Sequence, residues 1–485
     1  MMNNNLSSID LKLIEDIKHL PDNYWDFKDE DTRCYTHGIH GYPAVMVAPI
    51  SRNLINIISK YQSIDSIMDP FMGSGSVLIE SMVKNVDRIY GIDLNPLAQL
   101  LSKVRTTILT EDQLIKIEKI FSEKLNKEFE KYKNSISDFD NFIKNEKKLD
   151  ITGKQNWGFN AHKYIEEYLE SRNIDFNFPT FSNIGFWFQP KAIFQLQIIK
   201  NIIIQSKDKN IKDFLMITFS ETVRKVSNTR NSEFKLFRIK KETILKTDID
   251  ALKDFYSILN RNIKRMREFI SIKEKNNINS KVFIINGDTR NIKTIKSIPN
   301  ESVDLVITSP PYGDSQTTVA YGQYSRLSLQ WLDLETCKDV NIAALDKNLL
   351  GGKPYKEKSQ WTFLGSETLV NSLTKISEID PFRADDVFGF YVDLDKCIYG
   401  INSKMKKGSY QFWVVGNRTV KGINLKTDVI ISEMAKKYGL EYVYTIKRNI
   451  VNKVMPSLNS PTNEAGKRVS TMTKENIIIL KKLSN

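Results

Sequence analysis

Two short turns carry residue types that could do chemistry. The first, Asp69-Pro-Phe-Met-Gly-Ser-Gly-Ser76, follows a short apolar run and precedes a helical one. Gly73 and Gly75 let the backbone bend sharply and approach a ligand, and the helix start behind them offers free amide groups. At the end of the next strand, YGIDLN places Asp93 close to the roughly 20 residues downstream at which a ribose-binding acid is expected. The turn is not a phosphate loop, because it lacks a GK[ST] ending and Asp69 would repel a pyrophosphate. An acid beside glycines suits a cationic ligand portion, such as the amino group of a methionine moiety. That points to S-adenosylmethionine rather than NAD or ATP.

The second turn, Thr308-Ser-Pro-Pro-Tyr-Gly313, ends the apolar strand VDLVI. Pro310 and Pro311 restrict the backbone and remove two amide donors, leaving carbonyl acceptors in excess. The Ser309 hydroxyl and the Pro310 carbonyl can accept both hydrogens of an amino group, which draws the nitrogen lone pair out of a ring and toward a methyl donor. Tyr312 supplies an aromatic face on which an extruded base can stack. A rigid turn would explain the prolines alone, but not the serine and tyrosine that flank them. Both turns fall at the carboxyl ends of strands, where open parallel sheets bind ligands.

The elements that must position these turns alternate strand, turn and helix, which predicts an α/β fold with a parallel sheet. Residues 1–34 read as an N-terminal extension with a short helix and a loop. Residues 35–109 form the first part of the core. From 110 to 280 the texture is mainly helical and charged, beginning with capping-box spacing at Thr110 and Gln113. Within it, 134–185 read as irregular. The core resumes over 281–332, a loop-rich insertion is expected over 333–383, and 384–485 close the core, with a helix over 385–406 and two final strands.

Composition narrows the function classes. The chain has 485 residues, 41% hydrophobic and 27% charged, so a sizeable core can be buried. Lys and Arg outnumber Asp and Glu by 71 to 58, a formal charge of +13. Such a balance favours a polyanionic partner, although it also matches a chain merely rich in Asn, Ile and Lys. Cys34, Cys337 and Cys397 lie far apart with no CxxC spacing, which argues against a disulfide framework or a zinc site and fits a reducing cytosol. His37 and His40 have no Cys or carboxylate in evident register, so no metal site is expected. No apolar run spans a bilayer and no signal pattern opens the chain, so a cytoplasmic protein without membrane partners is expected.

Together, DPFMGSG and TSPPYG resemble the amino-methyltransferase family of DNA modification enzymes. HGYPAVMVAPISRNLI, ahead of the glycine turn, resembles the family segment that closes over the methionine end of the cofactor, and it contains Pro43. VSNTRN, VVGNRTVKG and NKVMPSLNSPTN resemble stretches of a bacterial modification-methylase subgroup. The resemblance implies a Rossmann-like S-adenosylmethionine-dependent methyltransferase core with a large, mainly helical insertion. It implies that Asp69, Phe71, Gly73, Ser74 and Gly75 line the cofactor, that Asp93 binds the ribose and that Asp288 faces the adenine ring. Ser309, Pro310, Pro311 and Tyr312 would hold the target amine. An SPPY turn is typical of enzymes that make N4-methylcytosine, whereas DPPY and NPPY turns are typical of adenine-N6 enzymes. Ser and Asn can each accept from an amino group, so adenine N6 stays open as the alternative, with guanine N2 of tRNA further off.

The implied reaction is direct in-line methyl transfer, since no cysteine has the proline-turn setting that cytosine C5 chemistry needs. Double-stranded DNA is the implied partner, with a separately encoded restriction endonuclease for the same site a further possibility. A flipped base requires a grip on the phosphates. The basic candidates are Arg224, Lys225, Arg230, Lys235 and Arg238 in one stretch, and Lys447, Arg448, Lys453, Lys467 and Arg468 near the C-terminus.

Overall fold

The computed structural model describes residues 6–483 except 180, 232, 315–318, 339, 452–457, 460–468 and 471–472. Seven strands form one sheet: β1 (Ser66–Asp69), β2 (Arg88–Asp93), β3 (Lys281–Asn286), β4 (Val303–Thr308), β5 (Met405–Val415), β6 (Leu440–Asn449) and β7 (Lys474–Lys482). Their spatial order is β3-β2-β1-β4-β5-β7-β6. The first five pair in parallel, and β7 runs antiparallel between β5 and β6. The order reverses between β1 and β4, and the two chemical turns leave the sheet at the carboxyl ends of these two adjacent strands. That crevice is where an open α/β sheet binds ligands.

The helices relevant to the site are α1 (Ser8–Lys18), α2 (Ala48–Ile58), α3 (Ser76–Val83), α4 (Pro96–Thr106), α5 (Ser122–Asn141), α6 (Phe159–Arg172), α7 (Pro190–Ile204), α8 (Lys209–Val226), α9 (Ala251–Asn276), α10 (Tyr321–Leu332), α11 (Glu367–Ile379), α12 (Pro381–Lys404) and α13 (Thr427–Lys436). Side chains alternate across the buried strands, so each strand feeds both faces. On one face Ile67, Leu305, Ile307, Phe412 and Ile477 pack with Leu54 and Ile58 of α2 and Val77 and Leu78 of α3. On the other, Met68, Val306, Trp413 and Ile478 pack with Leu394 and Ile398 of α12 and Ile430 of α13. The mixed α/β fold with a parallel central sheet is thus held by two cores, one per face.

The segment between α4 and β3 builds a third core. It packs on Leu97, Leu101 and Val104 of α4 and on Leu327 and Trp331 of α10, while Phe269 near the end of α9 joins the core on one face of the sheet. Its texture is helical, as the periodicity predicts, and Thr110 and Gln113 do form a reciprocal capping box. The stretch 134–185 departs from the irregular reading. It holds the end of α5 and all of α6, because Phe139, Tyr168 and Trp157 bury a shared aromatic cluster that outweighs their weak helix propensity. Residues 333–383 depart likewise, since they contain α11, whose Leu369, Leu373 and Ile376 recur on one buried face. The helix expected over 385–406 starts earlier, at Pro381, where the Asp380 side chain accepts the Arg383 amide and proline suits the first turn.

The N-terminal extension is docked on the sheet. Leu13 and Trp25 are buried, and Tyr410 of β5 donates to Asp10 at 2.5 Å. Among the described residues no helix is long and apolar enough to cross a membrane.

Candidate active site

β1 ends at Asp69, and the chain turns twice through positive φ, at Gly73 (+47°) and Gly75 (+80°), before α3 begins. A Cβ on Gly75 would lie 2.9 Å from the Ser102 hydroxyl of α4, so both the φ and the helix packing demand glycine. The turn is then tied to β2. The Gly73 amide donates to Asp93 Oδ2 at 3.0 Å, and the Met72 amide donates to the Ile92 carbonyl at 3.0 Å. The Asn95 amide donates to the other Asp93 oxygen at 2.8 Å.

Asp69 is buried. One of its oxygens accepts from the Thr308 hydroxyl at 2.7 Å, which couples the first turn to the residue just before Ser309. The Phe71 amide donates to the same oxygen at 3.0 Å. Burial pushes the Asp69 carboxyl up to about 7 and that of Asp93 up to about 6. Among the described residues neither acid has a cationic side chain paired with it, so a ligand bearing positive charge would meet two carboxyls ready to ionise.

A cleft opens over these turns. Pro43, Asp69, Phe71, Gly73, Ser74 and Asp93 line its walls, and Asp288 closes one side. Ser309 and Pro311 line the same cleft, and Gly75, Pro310 and Tyr312 adjoin these lining residues in the two turns. The Asp288 carboxylate is engaged by Arg290, at 2.6 Å to Nη2, and Arg290 also holds Asp393 and the Asn348 carbonyl. Asp288 therefore presents an edge already shared with a guanidinium.

The segment around Pro43 is fixed from beneath by Arg105 of α4. Its fully buried guanidinium donates to the carbonyls of His37, Ile39, His40 and Ser74, at 2.7 to 3.0 Å. Sequence reasoning did not find Arg105, since a lone arginine in an amphipathic helix reads as a surface residue. His37 and His40 are buried as well. His37 faces Glu80 of α3 at 2.8 Å, and His40 faces the Ser220 hydroxyl at 2.9 Å.

Other cleft residues also escaped the sequence reading. Tyr42 accepts from the Asn95 amide nitrogen at 3.2 Å, and Tyr321 opens α10 beside it, the two rings 6.1 Å apart. Leu349 and Leu350 cover the Asp288 side. Tyr42 precedes Pro43 directly, so its place was inferable. Nothing in LDKNLLGG signals a cleft wall.

The second turn is wired to distant strands. Ser309 Oγ donates to Tyr312 Oη at 3.4 Å, and Tyr312 Oη donates to Glu475 Oε1 of β7 at 3.0 Å. The other Glu475 oxygen accepts from Arg448 of β6, and Arg448 Nε donates to the Trp25 carbonyl at 2.8 Å. Just beyond the turn, buried Asp314 accepts from Arg383 and Arg418, each at 2.8 Å, which anchors the chain against α12.

The basic residues expected to grip phosphates are scattered. Arg224 is buried, donating to the Tyr324 carbonyl at 2.8 Å with its guanidinium 3.7 Å over the Tyr324 ring. Arg238 is half-buried, donating to the Thr152 carbonyl at 2.7 Å and lying over Phe186. Arg448 is buried in the relay above. These three hold the fold and turn no cation to a surface. Lys225 and Arg230 are exposed, in ion pairs with Asp254 and Glu233, Lys447 is exposed and Lys235 half-exposed. Lys453, Lys467 and Arg468 lie outside the described residues.

The chain is similar to two known methyltransferases. Over 487 aligned residues and 99% of each chain, the protein is 40% identical to the Type II methyltransferase M.MvaI of Kocuria varians. Over 411 residues and 73% of each chain, it is 26% identical to the Type II methyltransferase M.MjaII of Methanocaldococcus jannaschii. No family profile matches the chain.

Proposed function

Because this chain belongs to the Type II methyltransferases, we propose that it methylates the exocyclic N4 amine of cytosine in double-stranded DNA, using S-adenosylmethionine. One observation carries the reading. The acid-and-glycine turn and the Ser309 turn line one cleft at the crossover of the sheet, joined by the Thr308–Asp69 hydrogen bond. A methyl donor and an acceptor amine held there would be neighbours, which is what an in-line transfer requires.

The residues fit such a donor. The glycine turn lets a ligand reach the backbone, the Asp93 carboxylate lines the cleft beside its backbone amide contacts, and Asp69 provides a second acid near the methionine end. Bound there, S-adenosylmethionine supplies an electrophilic methyl group on a sulfonium sulfur. Ser309 Oγ and the Pro310 carbonyl accept from the amine and orient its lone pair. Tyr312 stacks on the extruded base. Lys225, Arg230, Lys235 and Lys453 are the proposed phosphate contacts, each worth roughly one unit of salt slope. The biological role that follows is protection of host DNA against a separately encoded endonuclease of the same specificity.

The test is incubation with labelled S-adenosylmethionine and unmethylated DNA, followed by mass spectrometry of the digested nucleosides. N4-methylcytosine is the expected product. N6-methyladenine would keep the site and overturn the base assignment. Label in tRNA and none in DNA would overturn the DNA reading.

A further inference from the structure

We propose that Glu475 sets the direction of the hydrogen-bond chain through Tyr312 to Ser309, so that Ser309 meets the target base as an acceptor and selects an exocyclic amine over a carbonyl. This rests on the base-holding reading of Ser309 given above.

The argument follows from counting hydrogens. Arg448 is buried and can only donate. Its partner Glu475 can then only accept, on one oxygen from Arg448 and on the other from Tyr312 at 3.0 Å. A tyrosine hydroxyl has one hydrogen. Spent on Glu475, it leaves Tyr312 Oη free only to accept, and Ser309 Oγ donates to it at 3.4 Å. Ser309 has spent its own hydrogen in turn and lines the cleft, so what it has left to offer a ligand there is lone pairs. An amino group supplies donors to those lone pairs. A ring carbonyl at the same position, as in uracil or hypoxanthine, brings lone pairs against lone pairs and is rejected. The polarity of the site is thereby fixed by residues on β6 and β7, far from the turn in sequence.

Glu475→Gln tests this without changing shape. Arg448 will claim the amide oxygen, turning the NH2 group toward Tyr312 and reversing the chain, so that Ser309 becomes a donor. The measurement is kcat and KM for DNA of Glu475→Gln in the wild-type and in the Tyr312→Phe background, with S-adenosylmethionine affinity by calorimetry. The expected result is a roughly 10- to 100-fold loss of kcat in the wild-type background and less than about threefold in the Tyr312→Phe background, where the chain is already cut. Equal losses in both backgrounds would show that Glu475 merely props Arg448, and would overturn the proposal. A second variant covers the case in which Glu475→Gln misfolds. Tyr312→Phe keeps the Glu475–Arg448 pair, and should relax the preference for a target duplex over one bearing a carbonyl at that position by roughly tenfold in competition. An unchanged preference would overturn the proposal. Ser309→Ala with kcat within about threefold of the wild type would overturn the base-holding reading beneath it, a result separable from either of these.

Discussion

The two turns of the cleft are built by different means. The Asp69–Gly75 turn is made by backbone: positive φ at two glycines, amide donors into Asp93, and a helix start behind. The Ser309–Tyr312 turn is made by side chains reaching across the sheet to Glu475 and Arg448 and, beyond them, to the Trp25 carbonyl of the N-terminal segment. A backbone site is set by local sequence and resists most side-chain changes outside its glycines and acids. A side-chain relay depends on every member, and three of its links come from parts of the chain far away. Ligand binding and base selection should therefore fail independently.

The largest effect that would sharpen this contrast is at Ser309. Ser309→Ala should lower kcat by about 10²- to 10³-fold while calorimetric affinity for S-adenosylmethionine stays within about twofold. A parallel loss of cofactor affinity would break the separation. Next, Gly75→Val forces a β-branched residue to φ +80° against Ser102, and should cost about 2–3 kcal/mol in thermal unfolding together with most cofactor binding. Asp93→Asn keeps the shape but weakens the acceptor, and should reduce cofactor affinity by roughly tenfold with little change in DNA affinity.

The smallest effect is a dependence on pH. Burial holds Asp69 at about 7 and Asp93 at about 6 in the folded protein, above their unfolded value near 4. Between pH 4 and 7 the folded state binds more protons than the unfolded one, so the stability of the ligand-free protein falls as pH rises through that window. A cationic ligand prefers the ionised acids, so cofactor affinity should instead rise several-fold over the same range. Asp69→Asn should flatten both curves. Affinity independent of pH in the wild-type protein would remove the acids from the cationic end of the site.

Much of the glycine turn and its acids was legible because its signals are local. A strand, an acid, two glycines and a helix follow one another within a few residues, and Asp93 ends the very next strand. The basic stretch TVRKVSNTRNSEFKLFR misled for the converse reason. Charge is visible in sequence but its surroundings are not, and Arg224 and Arg238 turned out to serve aromatic rings and carbonyls inside the fold. The aromatic-rich 134–185 segment read as irregular because its helices are stabilised by tertiary packing rather than propensity.

By itself, then, the sequence determined the alternating α/β core and the two chemical turns, because backbone geometry and strand-end position depend on neighbouring residues. Only the tertiary structure decided what stands behind those turns. Arg105 beneath the Pro43 segment, Thr308 against Asp69, and Glu475 with Arg448 behind Tyr312 are long-range hydrogen bonds. Their partners are brought together by the order in which strands pair, and no local pattern encodes that order.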